Sequence, residues 1–282
     1  MITIRPLTPN FGGEVVGLDY SQLEDEGVTR RLEYLWLRHS LLLFRGLDAE
    51  DEENLVRLSR VFGQLEIHGR TEYLSPKTPE LLYVSNIRKG DRAIGILGDG
   101  EAGWHHDQSY LPRPAMGSLL AAHTVPAQGG NTSFADMAGA YEALPQSMKG
   151  RIEGLTALHS YAHFNAQYSE PANENQRKRQ TDVVHPVVRQ HPLTGRKALY
   201  VSPGVTVRIV GIPEDESAAL LRELHAWATR PEFVYEHRWS IGDGVLWDNA
   251  CTIHRREPFD PEQRRLMKRT TIRPPESLAV PV

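Results

Sequence analysis

The stretch FVYEHRWSIGDGVLWDNACTIHRREPFDPEQRRLMKRTTI, residues 233–272, decides the fold class of this chain. It holds four strand-like runs, at 233–239, 245–248, 250–253 and 265–272, with Gly and Pro between them and no helical pattern. Strands that follow one another in this way favour an antiparallel barrel or jelly roll over a doubly wound sheet, in which strands and helices alternate. Six similar runs occur upstream, at 81–86, 118–124, 131–135, 157–162, 186–191 and 198–202.

Four segments have the apolar spacing of amphipathic helices. The first two lie within 20–39 and just after Asp48, on either side of a short buried strand at 41–44. The third, 137–152, is interrupted by a proline, and the fourth covers 213–229. The sequence therefore predicts a mainly β protein with flanking α-helices.

Composition is that of an ordinary globular protein, with 40% hydrophobic and 24% charged residues. The net charge of −4 lacks the basic field on which non-specific nucleic-acid binding depends. The longest apolar runs are far shorter than the roughly 20 residues of a membrane helix. The single cysteine, Cys251, cannot form an intrachain disulfide, and the first residues do not resemble a signal peptide. We therefore expect a cytoplasmic protein that binds neither nucleic acid nor a membrane.

A length of 282 residues is compatible with one large domain or two small ones. Residues 164–183 are polar and lack apolar periodicity, which is typical of a surface excursion more than of a linker between domains. We expect one domain over residues 1–282, with an insertion or lid around 160–184.

Residues 98–103 match the G-x-G-x-x-G pattern of dinucleotide-binding folds. Pro112 and Pro114 follow too closely for the helix that such a site needs, and no strand–helix–strand unit surrounds the motif. The pattern indicates a flexible loop that leads into the residues considered next.

His105 and Asp107 belong to the densest cluster of metal-ligand side chains in the sequence. On a strand, residues two apart share a face, so both side chains would project together while His106 points away. A second imidazole would complete a two-histidine-one-carboxylate set, which leaves positions open on Fe(II) for substrate or O₂. Among the distal histidines His254 is favoured, because it ends the strand-like run 245–254. By itself the tripeptide also fits a hydrogen-bonded pair that holds no metal.

Arg265 and Arg269 share one face of the last strand-like run, because strand side chains alternate with a period of two. We expect a hairpin to return this run beside the strand that carries His254, so that both guanidinium groups enter one cavity. Arginine binds carboxylates with two parallel hydrogen bonds and stays charged when it is desolvated. The alternative is a pair of exposed arginines on an edge strand.

Several further motifs occur along nearly the whole chain. They comprise LLFRG at 42–46, FGQLE at 62–66, WHHD at 104–107, GGNTSFADM at 129–137, HPVV at 185–188, TGRKALYV at 194–201 and WDN at 247–249. With these motifs, the sequence resembles the Fe(II)/2-oxoglutarate-dependent dioxygenases typified by taurine dioxygenase and the phenoxyacetate dioxygenases. The resemblance implies a double-stranded β-helix, a cupin-like jelly roll with flanking helices.

The resemblance also implies roles for particular residues. It assigns His105, Asp107 and His254 as iron ligands. It places Arg265 at the distal carboxylate of 2-oxoglutarate, assisted by the hydroxyl group of Thr132. The implied reaction consumes 2-oxoglutarate and O₂, releases succinate and CO₂, and oxidises a C–H bond of a bound substrate, with hydroxylation as the leading outcome.

The prime substrate is expected to be a small organic anion such as a sulfonate, carboxylate or phosphonate. His68 and Arg70 lie in a segment that the family brings to this substrate, and Arg269 lies near it or near the other end of 2-oxoglutarate. Tyr110 could line an aromatic-accepting pocket or pack in the core. His106 is expected either to contact the metal ligands without binding the metal itself or to lie at the surface.

Two other functions stay open from the sequence alone. A non-oxidative metal enzyme, such as a hydrolase or isomerase, could be built on the same cupin-like barrel, and so could a binding module without catalysis. The family further implies a homo-oligomer, either a dimer or a tetramer.

Overall fold

The structure, a computed structural model, describes residues 2–97, 102–166 and 182–276. Its strands are numbered here in chain order. They are β1 Thr3–Pro6, β2 Gly13–Val16, β3 Leu41–Phe44, β4 Leu82–Ser85, β5 Arg88–Lys89, β6 Arg92–Ala93, β7 Ala102–His105, β8 Gly117–Thr124, β9 Thr132–Asp136, β10 Thr156–His159, β11 Val183–Pro186, β12 Val188–Gln190, β13 Lys197–Leu199, β14 Thr206–Ile209, β15 Val234–His237, β16 Gly244–Asp248, β17 Thr252–Arg256 and β18 Leu266–Ile272.

Two sheets form the body of the protein. A seven-stranded sheet has the order β1-β2-β3-β16-β8-β18-β4, and a four-stranded sheet has the order β15-β9-β17-β7. All neighbours in these sheets are antiparallel except β2 and β3. The sheets share an apolar core in which Phe134 of β9 lies 5.5 Å from Trp247 of β16, ring centre to ring centre. This is the jelly-roll architecture expected above.

Helices α1 (Glu26–His39) and α2 (Glu52–Arg60) cover one face of the seven-stranded sheet, as their apolar spacing predicts. Asp25 caps α1, because its carboxylate accepts hydrogen bonds from the backbone N–H groups of Gly27 and Val28. The buried helical side chains in the apolar cluster with this sheet are Leu32, Leu35, Trp36, Leu55 and Leu58.

A second apolar cluster contains helices α3 (Met137–Glu142), α4 (Gln146–Ile152) and α6 (Glu214–Ala228). The predicted interruption of the third helix is confirmed, because Pro145 stands immediately before α4. The cluster also takes in Ile253 of β17, so these helices support the four-stranded sheet from the side away from the shared core.

The short helix α5 (Tyr161–Asn165) lies where the sequence predicts a strand over 157–162. Strand β10 ends at His159, and the Ser160 hydroxyl then accepts a hydrogen bond from the backbone N–H of His163. A serine cap of this kind starts a helix, which is why the strand stops early.

The strand-like run 245–254 is not one strand. β16 belongs to the seven-stranded sheet, β17 belongs to the four-stranded sheet, and a turn at 249–251 joins them. The expected hairpin beside the His254 strand is also wrong, since β18 pairs with β8 and β4 instead of β17. Successive strands of this part of the jelly roll alternate between the two sheets, so neighbours in sequence are not neighbours in a sheet.

Two predicted segments fall largely outside the described residues. They are the glycine-rich loop at 98–101 and most of the predicted insertion, at 167–181. Within the described part of the chain, no helix is long and apolar enough to cross a membrane.

Candidate active site

Strand pairing brings together the two histidines and the aspartate singled out in the sequence. His254 of β17 is the direct partner of His105 at the end of β7, and their ring centres lie 4.2 Å apart. Asp107 follows in the turn after β7, and one ligand atom from each of the three side chains lies within 4.8 Å of the others. All three residues are buried, so the structure forms a compact candidate metal site.

Both imidazoles are in the form that binds metals. Burial lowers the pKa of His105, and burial is also the main cause that lowers the pKa of His254 to about 3. Nδ1 of His105 lies 2.7 Å from the carbonyl oxygen of Gly103 and donates to it. This bond leaves the Nε2 lone pair of His105 directed at the site, 3.9 Å from Oδ1 of Asp107.

The carboxyl group of Asp107 is ionised. Burial by itself would raise its pKa, but the Arg269 guanidinium and the hydrogen bond from Ser118 hold the pKa of this carboxyl below its usual range. Nη1 of Arg269 lies 3.2 Å from Oδ1, and the Ser118 hydroxyl donates to Oδ2 at 2.9 Å. Two neutral imidazoles and one carboxylate match the ligand set that non-haem Fe(II) oxygenases use, so these residues fit a divalent iron.

A second buried cluster has ligand-type atoms close enough to hold a metal ion, but its side chains are not in metal-binding form. One ligand atom from each of His191, Asp248 and Cys251 lies within 4.8 Å of the others. However, Nδ1 of His191 accepts hydrogen bonds from the backbone N–H groups of Leu193 and Thr194. Its proton is therefore on Nε2, 2.8 Å from a carboxylate oxygen of Asp248. Because burial also raises the pKa of the Cys251 thiol, this cluster holds a structural polar contact between His191 and Asp248 and is not a candidate metal site.

Arg265 presents a buried positive charge that has no acidic partner among the described residues. Its Nε has no hydrogen-bond partner among the described residues, and its guanidinium lies 5.9 Å from the ring centre of Phe259. Burial, followed by the charge of Arg256, lowers the pKa of Arg265 to about 9, so the group remains charged at neutral pH. Gly130 packs against it with a φ of +68°, where a Cβ would come within 3.4 Å of Nε. A buried cation of this kind fits a carboxylate ligand.

The Thr132 hydroxyl is oriented by a tryptophan that the sequence analysis did not single out. Thr132 is buried on β9, and its Oγ1 accepts a hydrogen bond of 2.9 Å from Nε1 of Trp239. Because the indole N–H occupies an acceptor position of this oxygen, the hydroxyl proton is available to a ligand. Trp239 lies just after β15, and only its place at the end of a strand-like run marked it in the sequence.

Among the four residues predicted at the prime substrate, His68 and Arg269 lie near Asp107. Burial, followed by the charge of Arg269, lowers the pKa of His68 to about 4, and the nearby Asp107 charge opposes this change. Arg70 is engaged elsewhere: its Nε donates to Glu72 at 2.7 Å. The structure therefore groups His68 with Arg269 and leaves Arg70 in an ion pair.

Tyr110, the fourth of these residues, belongs to an aromatic wall beside the candidate metal ligands. Its ring centre lies 4.8 Å from that of Tyr161 and 5.6 Å from that of Phe164, which in turn lies 5.5 Å from His105. Neither Tyr161 nor Phe164 of α5 was predicted at the site from the sequence. Their spacing of three residues on a helix was the available signal.

His106 is buried and contacts the ring of Tyr200 at 4.3 Å, so the expectation of a surface position is wrong. Asn249 is marked in the sequence only as part of the WDN motif. In the structure its Oδ1 lies 2.8 Å from the backbone nitrogen of Asp107, and its Nδ2 lies 2.6 Å from the carbonyl oxygen of Asp107.

Comparison with known proteins agrees with this geometry. The model of the taurine catabolism dioxygenase TauD, TfdA family matches residues 3–271. This chain belongs to the TauD/TfdA dioxygenase family. It is 34% identical over 280 residues to the (S)-phenoxypropionate/alpha-ketoglutarate-dioxygenase of Sphingobium herbicidovorans, with 94% of this chain and 92% of the relative covered.

A second relative and a solved structure give the same result. The chain is 34% identical over 284 residues to the alpha-ketoglutarate-dependent 2,4-dichlorophenoxyacetate dioxygenase of Cupriavidus pinatubonensis, with 96% and 97% covered. The crystal structure of AAD-2 in complex with Mn(II) and N-oxalylglycine matches with a TM-score of 0.82 and 34% identity, covering 99% of this chain and 100% of that one.

The TauD/TfdA member described here is therefore a 2-oxoglutarate-dependent dioxygenase, an oxidoreductase whose cofactors are Fe(II), 2-oxoglutarate and O₂. The predicted family, jelly-roll fold and reaction class are confirmed. The comparisons favour this class over a non-oxidative metal enzyme.

Proposed function

We propose that His105, Asp107 and His254 bind the Fe(II) of this dioxygenase, and that Arg265 and Thr132 bind 2-oxoglutarate. The observation that carries the proposal is the buried set of two neutral imidazoles and one ionised carboxylate, with ligand atoms within 4.8 Å of one another. The guanidinium of Arg265 supports the assignment of the cosubstrate, because its Nε has no hydrogen-bond partner in the described part of the chain and a buried cation fits an anionic ligand.

Fe(II) held by these three residues would, with 2-oxoglutarate and O₂, supply the oxidant for the C–H bond. One oxygen atom enters the substrate as a hydroxyl group and the other enters succinate, while CO₂ leaves. The protein contributes binding and placement. Asp107 remains a carboxylate, Arg265 and the Thr132 hydroxyl bind the distal carboxylate of 2-oxoglutarate, and Arg269 orients Asp107 through the contact at 3.2 Å.

We infer that the prime substrate is a small organic anion with an apolar, preferably aromatic, body. Nε of Arg269 has no hydrogen-bond partner among the described residues, and His68 lies beside this cation. Nδ1 of His68 accepts the backbone N–H of Arg70, so its other nitrogen is a donor for an anion. The aromatic wall that contains Tyr110 supports the apolar part, and the phenoxy acids in the names of the relatives combine both features.

We also propose that residues 1–282 form a single domain with an insertion or lid around 160–184, that the enzyme forms a dimer or tetramer, and that it binds no nucleic acid. A cytoplasmic location fits the single cysteine and the need to keep iron ferrous.

The test is a substrate screen with protein loaded anaerobically with Fe(II). Aryloxy acids, aryl carboxylates, alkyl sulfonates and sulfate esters are supplied with 2-oxoglutarate and O₂, and succinate release and product mass are measured. We expect an aryl-bearing anion to give the highest coupled turnover. Asp107→Ala is expected to abolish turnover, whereas His123→Ala, which alters a histidine paired with Glu50, is the matched control. Iron-loaded protein that neither binds nor decarboxylates 2-oxoglutarate would refute the proposal.

A further inference from the structure

The turn that carries Asp107 contains an unfavourable backbone conformation. β7 ends at His105, and Gln108, directly after Asp107, has a φ of +53°. Non-glycine residues adopt this left-handed region rarely, because their side chain then crowds the backbone. The direction of the Asp107 carboxylate depends on this turn, so a contact is needed that holds its backbone in place.

Asn249, in the turn between β16 and β17, makes that contact. The side chain is fully buried. Its Oδ1 accepts the backbone N–H of Asp107 at 2.8 Å, and its Nδ2 donates to the carbonyl oxygens of Asp107 at 2.6 Å and Ala115 at 3.0 Å. The backbone N–H of Asn249 donates to the carbonyl oxygen of Met116 at 2.8 Å. The side-chain amide of Asn249 therefore binds both the backbone N–H and the carbonyl oxygen of Asp107, as the backbone of a neighbouring strand would.

We propose that Asn249 is a positioning residue for the metal, an inference that rests on the proposed iron site. The turn at 249–251 leads directly into β17 and so to His254. Asn249 thus fixes the distance between the two chain segments that would supply the ligands. Ser118 and Arg269 contact the Asp107 carboxylate itself, and among the described residues only the Asn249 side chain binds the Asp107 backbone.

The experiment compares Co(II) binding by the wild type, Asn249→Ala, Asn249→Ser and Thr252→Val. Thr252 is the matched control, because it is buried next to the same turn and its hydroxyl donates to the carbonyl oxygen of Asp248 at 2.8 Å. Affinity is measured by calorimetry on metal-free full-length protein, and coordination is followed by the visible absorption of Co(II). Thermal unfolding of each variant reports stability separately.

We expect Asn249→Ala to weaken Co(II) binding about 10- to 100-fold, as is usual when a group that orients a metal ligand is removed. Asn249→Ser is expected to lie between Asn249→Ala and the wild type, and it carries the test if the alanine variant does not fold. Thr252→Val is expected to lose stability but to bind Co(II) within about twofold of the wild type.

Wild-type affinity in a folded Asn249 variant would overturn the inference while leaving the proposed function intact. An equal loss of affinity in Thr252→Val would also overturn it, since the effect would then follow stability alone. Wild-type protein that binds no Co(II) would instead refute the proposed iron site, and the inference with it.

Discussion

Replacing Arg265 with methionine is expected to stabilise the ligand-free protein and to remove most of its affinity for 2-oxoglutarate. The guanidinium is buried, and its Nε has no hydrogen-bond partner among the described residues. Its charge therefore costs stability in the ligand-free protein, and an anion such as the distal carboxylate of 2-oxoglutarate offsets that cost. Methionine occupies a comparable volume without a charge, so it removes the cost and the binding group together.

The magnitude follows from the burial of Arg265. Burial, followed by the charge of Arg256, lowers its pKa from 12.5 to about 9. The difference, 12.5 − 9 = 3.5, corresponds to about 5 kcal/mol of unfavourable charge burial. This cost is fully present at pH 7 and disappears as the pH rises from about 9 towards 12.5. Apolar replacement of buried charges recovers about 1 to 4 kcal/mol, so the melting temperature at pH 7 is expected to rise by at least about 2 °C.

The loss of affinity is estimated from the bond that is removed. A buried charge-assisted pair contributes about 2 kcal/mol or more, so 2-oxoglutarate is expected to bind at least about 30-fold more weakly to Arg265→Met. Scanning calorimetry of ligand-free protein gives the stability, and titration calorimetry with Co(II)-loaded protein gives the affinity. Arg189→Met is the matched control, because Arg189 is also buried and lies 4.7 Å from the ring centre of Tyr200. An Arg265→Met variant that melts below the wild type and binds 2-oxoglutarate normally would refute the reasoning.

Three further predictions concern other side chains. Trp239→Phe removes the N–H that binds Thr132, so the KM for 2-oxoglutarate in steady-state assays is expected to rise about two- to tenfold with kcat within about twofold. Ser118→Ala removes the donor to Oδ2 of Asp107 and is expected to weaken Co(II) binding about tenfold in titrations. Burial lowers the pKa of His225 to about 4, so the free energy of unfolding falls as the pH drops below 6.5. Between pH 7 and 5, the free energy of unfolding of His225→Leu is expected to fall by about 2 kcal/mol less than that of the wild type, as measured by urea denaturation.

Each of these predictions has a result that contradicts it. An additive effect of Trp239→Phe in a Thr132→Val background would show that the indole acts independently of the hydroxyl. Unchanged Co(II) affinity in Ser118→Ala would show that Asp107 needs no support at Oδ2. Parallel pH dependence of stability in the wild type and His225→Leu would show that the buried imidazole does not contribute to acid sensitivity.

Much of the secondary structure was predictable because local patterns coincide with burial. Residues 41–44 are all apolar, and β3 is buried along its whole length between two neighbouring strands. The break before α4 follows from the missing N–H of Pro145. Strand partners were not predictable in the same way. A hairpin between β17 and β18 is the simplest local choice, whereas a jelly roll sends consecutive strands to opposite sheets.

The residues of the candidate site were likewise predictable in part. Sequence motifs and the resemblance they carry were sufficient to select His105, Asp107, His254, Thr132, Arg265 and Arg269, because the chemical types and their order are written in the chain. The contacts of Asn249 with Asp107, of Trp239 with Thr132 and of Phe164 with His105 were not accessible in that way.

By itself, the amino-acid order determined most of the strands and helices, the family and the candidate ligand-type side chains, since these depend on residue chemistry and short-range periodicity. Only the tertiary structure decided which side chains meet, which imidazoles are neutral, and that Arg265 has no acidic partner within residues 2–97, 102–166 and 182–276. The physical reason is that hydrogen bonds and desolvation act over a few ångströms in space, and 142 positions of chain separate the two residues of the Asp107–Asn249 contact.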